Sequence, residues 1–160
     1  MILASLAFTG GHVAAADTNS TQATWRISYF KNYATGYCLD AYLAKGGFLG
    51  PCNSGNFQRF VWDANRGADT TIRSLGETTG GKKWCLAATG GTVAVQECLT
   101  TITQRWEVMY EAGSNHPYLR SRHRNTCMSH RPPFVELGVL GLQICKDGFN
   151  DQRWAVVFVG

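Results

Sequence analysis

From Thr24 to Phe158 the chain runs in short apolar–polar stretches broken by glycine, asparagine and threonine, and the stretches recur. "TWRISYF" (24–30), "TTIRSL" (70–75) and "PYLRSR" (117–122) each read as the opening strand of a unit. Each is followed by a cysteine-bearing stretch, a run into a second cysteine, and a stretch holding Gln-Arg-aromatic. No window sustains a helical apolar period, and no apolar run is long enough to span a bilayer. The pattern predicts three units of four short strands, twelve in all. Regular short strands between turn signals suggest a closed sandwich or barrel, and three-fold repetition points to a barrel with pseudo-three-fold symmetry. Closure would also remove exposed strand edges.

The repeat is clearest at Gln58-Arg59-Phe60, Gln104-Arg105-Trp106 and Gln152-Arg153-Trp154, spaced by 46 and then 48 positions. On a strand, residues two apart share a face. Glutamine and aromatic would then point inward and the arginines Arg59, Arg105 and Arg153 toward solvent. Phe60, Trp106 and Trp154 are expected to meet in a shared core. Gln58, Gln104 and Gln152 beside them need hydrogen bonds to survive burial, most simply to backbone of their own unit.

Six cysteines fall into the same register: Cys38 and Cys52, Cys85 and Cys98, Cys127 and Cys145. The second cysteine precedes the glutamine by 6, 6 and 7 residues. An even count suits disulfides in an exported chain, and no C-x-x-C pair suggests zinc. Export is also read from residues 1–16, "MILASLAFTGGHVAAA", which carry a short apolar core and an Ala-x-Ala end, although no basic residue precedes them. The expected layout is a signal peptide at 1–16, a polar lead at 17–23 and one domain at 24–160. Its three lobes would cover about 24–66, 67–112 and 113–159.

Composition changes the picture little. The chain has 160 residues, 44% of them hydrophobic and 16% charged, with 18 glycines: enough for a packed core rich in turns. A net charge of +4 is mild. Its densest cluster, "LRSRHR", would line up Arg120, Arg122 and Arg124 on one strand face, read as a solvated face rather than a nucleic-acid site. "GETTGGKK" (76–83) approaches a phosphate-binding loop, but Lys83 stands where Ser or Thr would hold magnesium. His116, His123 and His130 recur every seven residues, a spacing that does not make metal ligands converge on a strand. No nucleophile motif or paired carboxylates stand out. The expectation is a non-catalytic protein without cofactor or metal.

The cysteine and Q-x-W pattern resembles the ricin-type (R-type) lectin family, over about residues 24–158. That resemblance implies an all-β, β-trefoil fold with Cys38–Cys52, Cys85–Cys98 and Cys127–Cys145 paired within lobes. In sugar-binding members an Asp two residues after the first cysteine accepts sugar hydroxyls. An aromatic just before the second cysteine stacks on the sugar, and an Asn commonly precedes the glutamine. Lobe one keeps Asp40, has Gly50 at the aromatic position with Phe48 and Tyr42 as substitutes, and Phe57 in place of the Asn, with Asn53 and Asn56 near. Lobe two has Ala87, Gln96 and Thr103, and lobe three Ser129, Gln143 and Asp151. Carbohydrate binding is therefore expected in lobe one alone, through Asp40, Tyr42, Phe48 and Asn53, and it should be weak.

"FKNYATGYCLDAY" (30–42) is similar to the opening of lectin-like subunits of secreted bacterial toxins such as cytolethal distending toxins. The alternative reading is thus an adaptor or delivery subunit that binds a protein partner in a secreted complex. In that case the long lobe-three loop, with "FVELGVLGL" (134–142), is either an interface or simply a longer strand pair. Glycans or such a protein are the expected partners, without nucleic acid and without a membrane span.

Overall fold

The computed structural model describes residues 24–42, 46–76, 80–130 and 138–159. The expected signal peptide at 1–16, the polar lead at 17–23 and the middle of the lobe-three loop at 131–137 lie outside the described residues. Thirteen strands form one curled antiparallel sheet, a β-trefoil. Lobe one holds β1 (Trp25–Asn32), β2 (Cys38–Tyr42), β3 (Gly46–Gly50) and β4 (Phe60–Asp63). Lobe two holds β5 (Asp69–Thr70), β6 (Arg73–Ser74), β7 (Trp84–Thr89), β8 (Thr92–Glu97) and β9 (Trp106–Tyr110). Lobe three holds β10 (Pro117–Ser121), β11 (Cys127–Ser129), β12 (Gly141–Gln143) and β13 (Trp154–Phe158).

The first and last strands of the lobes build the wall, and the hairpins β2–β3, β7–β8 and β11–β12 cap it. β1 is paired on one edge to β4 and on the other to β13, which brings the end of the fold back beside its beginning. The hairpins touch one another as well. Gly141 pairs with Thr92, and Phe48 of lobe one bridges to Val139 of lobe three.

One strand more than expected arises where the second opener breaks at Thr71–Ile72. Its first half pairs with β9 and its second with β4 and β7. The Thr70 hydroxyl receives the Asp63 N–H at 2.8 Å and bonds the Thr71 carbonyl at 2.9 Å, and Ile72 turns fully into the core. The chain changes partners there, so a continuous strand is interrupted.

Phe60, Trp106 and Trp154 are all fully buried, together with Phe30, Trp62, Leu39, Leu86 and Met128. Burial of this many large apolar side chains is the main favourable term holding the lobes together. The glutamines before them are not on strands. Each ends a short 3₁₀ turn, Asn56–Gln58, Ile102–Gln104 or Asn150–Gln152, and the strand starts at the aromatic. The turn still leaves both side chains inside.

The intervening arginines are partnered rather than simply solvated. Arg59 Nε donates to the Tyr29 hydroxyl at 2.8 Å, Arg105 Nε pairs with Asp69 at 2.9 Å, and Arg153 meets Glu111 and the Tyr118 hydroxyl. An acceptor on a neighbouring strand lies within reach of each guanidinium. The expected row of Arg120, Arg122 and Arg124 also fails to form. β10 ends at Ser121, so Arg122 and Arg124 fall in the following turn. Arg120 and Arg122 converge instead on Glu107, with Arg122 also 3.7 Å from Asp69. The described half of "FVELGVLGL" is core: Gly138, Leu140 and Gly141 are buried against lobes one and two.

Candidate functional site

Disulfides Cys38–Cys52, Cys85–Cys98 and Cys127–Cys145 close one loop in each lobe, each with Cα atoms 4.9 Å apart. The buried glutamine then straps the chain on both sides of the second cysteine. Gln58 Oε1 accepts the Asn53 N–H at 2.8 Å while Nε2 donates to the Pro51 carbonyl at 3.0 Å. Gln104 does the same with Leu99 and Glu97, and Gln152 with Lys146 and Ile144. A buried amide bonded this way is satisfied.

Only in lobe one does the strap reach further. Gln58 Nε2 also donates to Asp40 Oδ2 at 3.0 Å. Asp40 sits mid-β2 directly across from Phe48 on β3, so carboxylate and ring share one face of the hairpin. Tyr42, two residues on from Asp40, meets Phe48 edge-on with centroids 5.9 Å apart. Leu39 and Ala41, between them, face the core. The period-two pattern of "CLDAY" thus puts the apolar pair inside and the polar pair outside.

Gly50 stands where the family pattern has an aromatic, next to Phe48. It lies on the same face as Phe48, and a Cβ there would stand 3.4 Å from the ring. Lobe three closes the other side. Gly138, at φ +107°, brings its Cα so near that a Cβ would be 3.0 Å from Phe48 Cδ2 and 2.8 Å from the Leu49 carbonyl oxygen. Phe48 is thereby wedged by two glycines from different lobes.

Burial pushes the Asp40 carboxyl above its ordinary value of 3.8, and the Gln58 hydrogen bond only partly opposes this. Among the described residues Oδ1 makes no hydrogen bond. A half-buried acceptor beside an aromatic edge is suited to a hydroxyl-bearing, partly apolar ligand. Asp40, Tyr42 and Phe48 are therefore brought together. Asn53 is not part of that cluster, since its side-chain oxygen caps the Gly55 N–H at 2.7 Å in the turn after the disulfide. Phe57, in place of the family's Asn, covers Gly76, where a Cβ would lie 2.3 Å from the ring.

The other lobes differ. In lobe two Ala87 is buried and brings no acceptor. In lobe three the Ser129 hydroxyl donates to Asp151 Oδ2 at 2.6 Å, so a carboxylate stands at the equivalent place but comes from the Q-x-W side. Each residue is visible in the sequence as a departure from the family pattern, and only the fold shows that the two departures meet. Among the described residues no three His, Cys, Asp or Glu side chains gather as a metal site would need.

A model of the ricin-type beta-trefoil lectin domain matches residues 26–154. The chain belongs to that family. No curated protein sequence matches it. Solved structures share its fold at low identity. A designed three-fold symmetric protein, ThreeFoil, aligns with a TM-score of 0.62 at 16% identity, over 82% of this chain and 97% of that one. A chain of the Haemophilus ducreyi cytolethal distending toxin aligns at 0.63 and 18%, covering 82% of each. SeviL, solved bound to asialo-GM1 saccharide, aligns at 0.62 and 14%, over 84% of this chain and 98% of that one. In this ricin-type trefoil, then, the lobes share a disulfide and a glutamine strap, while the residue two after the first cysteine differs in each: Asp40, Ala87 and Ser129.

Proposed function

We propose that the protein is a secreted, non-catalytic lectin that binds carbohydrate weakly through lobe one. One observation carries the reading: a carboxylate, Asp40, is held by Gln58 on the same face as Phe48, and only in lobe one. Asp40 accepts sugar hydroxyls, Phe48 and Tyr42 offer apolar edges to the sugar ring, and Gln58 positions the carboxylate. Family membership supports the ligand class, as does the saccharide bound to the similar fold of SeviL. Three within-lobe disulfides accord with export, with residues 1–16 as its signal. Binding is weak because one shallow site lacks the multivalency by which separate sites build avidity.

The test is a glycan array run with the disulfide-bonded protein beside Asp40→Asn. A defined set of sugars that disappears in the variant supports the reading. Sugar binding that survives it sinks the lobe-one assignment.

A second reading, a protein-binding subunit of a secreted toxin complex, draws support from the likeness to a cytolethal distending toxin chain. It expects co-purification with a larger chain, insensitive to Asp40→Asn.

A further inference from the structure

Strand β1 carries apolar side chains on its outer face. Its even positions Ser28, Phe30 and Asn32 are buried, while its odd positions Trp25, Ile27 and Tyr29 point outward. Register widens the outer stripe, because Ile27 lies beside Val61 on β4 and Tyr29 beside Val157 on β13. Trp25 is 57% exposed and Val157 52%. Below Tyr29 the stripe opens into a groove of about 490 Å³ against the Cys38–Cys52 disulfide.

Cations surround it. Lys31 continues the outer face of β1, Arg59 lies 5.8 Å from the Tyr29 ring centroid, and Arg73 pairs across from Val61. Arg26 and Phe158, 5.9 Å apart at the strand ends, belong to the other face by register, since Arg26 pairs with Trp62 and Phe158 with Ser28. Lys31, Arg59 and Arg73 make no ion pair among the described residues, whereas Arg105, Arg120, Arg122 and Arg153 all do. The carboxylate beside the stripe, Asp63 opposite Trp25, accepts the backbone N–H groups of Thr24 and Asn65. Unmatched positive charge therefore collects where apolar surface is exposed.

We propose that this face docks the protein peripherally on an anionic lipid bilayer. Trp and Tyr rings flanked by guanidinium and ammonium groups belong at the boundary of hydrocarbon and headgroups. Cations without a matching acidic pattern suit a diffuse negative surface. Addition of a partner strand along β1 has little room, since β4 covers one edge at Trp25–Ser28 and β13 the other at Ser28–Asn32. Five outward apolar side chains also fall well short of the roughly 20–30 residues a side of a stable protein interface, whereas interfacial lipid binding needs only a small apolar face with basic residues around it. The proposal is independent of the sugar site, although glycans displayed on the same membrane would add a second contact.

The probe is vesicles of phosphatidylcholine alone and of phosphatidylcholine with phosphatidylserine, free of glycolipid, read by co-sedimentation and Trp fluorescence. The wild-type protein should bind the anionic vesicles, release from them as salt rises, and shift its emission to the blue. Trp25→Ser with Ile27→Ser should lower partition at least tenfold without changing the melting transition. Lys31→Glu, at an exposed position, should lower it about fivefold or more, the scale of one basic residue near an anionic surface. Asp40→Asn should bind like wild type. Failure to bind anionic vesicles, or equal binding by the Trp25/Ile27 variant, overturns the proposal. Vesicle-free self-association that the same variant abolishes would overturn it too, making the face a contact between copies of the chain.

Discussion

Gln58 and Asp40 share a hydrogen bond of 3.0 Å, formed by an amide already committed to two backbone groups of the disulfide loop. The carboxylate is thus held by a side chain that cannot easily swing away. Its half-burial nevertheless disfavours the charge.

Asp40→Asn should therefore separate binding from stability. Asn keeps an acceptor for Gln58 and removes a charge that burial penalises. The expected melting temperature at neutral pH is equal to wild type or a little higher, with glycan binding lost. A clear drop in melting temperature would mean that the carboxylate is structural.

Acidification offers a second readout. Asp40 has a folded-state pKa above the ordinary 3.8, so the folded protein holds this proton more tightly than the unfolded chain. This group's contribution to stability is most favourable below 3.8 and declines as pH rises through the window between 3.8 and the folded value. Binding runs the opposite way, because sugar hydroxyls need the ionised acceptor. Glycan affinity should fall with pH around a midpoint above 3.8, measured by titration calorimetry, and Asp40→Asn should show no such midpoint.

The glutamine straps predict a graded cost. Gln104→Ala strands the Leu99 N–H and the Glu97 carbonyl, and should destabilise by about 3 kcal/mol in denaturant titration. Gln58→Ala should cost a similar amount and also abolish sugar binding, since Asp40 loses its positioning partner.

Trp106 and Trp154 hold equivalent places with unequal bonding. The Trp106 indole donates to the Leu86 carbonyl at 3.0 Å, whereas buried Trp154 Nε1 has no partner among the described residues. Replacing Trp106 by Phe should cost about 1 kcal/mol more than replacing Trp154 by Phe, the scale of one net hydrogen bond. Lobe one already carries Phe60 at this place. Equal losses in paired thermal melts would remove the distinction.

Gly138→Ala tests the contact between lobes. A residue with a Cβ at φ +107° and 2.8 Å from the Leu49 oxygen should destabilise by roughly 1–3 kcal/mol and move Phe48. Sugar affinity should fall with it, although the substitution lies in lobe three.

Much of the fold was legible because cysteines, glutamines and aromatics recur at matched spacings, and each solves a local problem that every lobe shares. That Asp40 stands on the outer face of its hairpin could be read from its place two residues after Cys38. The move of the aromatic to Phe48 could be suspected from Gly50, but its confinement by Gly138 could not, because those residues lie far apart in the chain. The meeting of Ser129 with Asp151 was hidden for the same reason. The alignment of Arg120, Arg122 and Arg124 was misjudged because alternation was extended past the end of a strand. The bond of the Asn53 side chain to Gly55 was not legible, because proximity to the disulfide says nothing of which way a turn side chain bonds.

Each amide strap bonds to backbone of its own lobe around the second cysteine, and the further bond of Gln58 goes to Asp40 of the same lobe. The straps are therefore independent of one another, while the hairpins they brace meet through backbone bonds such as Leu49 N–H to the Gly138 carbonyl and Leu140 N–H to the Gly47 carbonyl. A lineage or a designer could rewrite the rim of lobe two, where Ala87 has already replaced the acid, and leave the neighbouring straps untouched. The scaffold thus carries spare ground for new recognition, because each strap can stay while the hairpin beside it is rewritten.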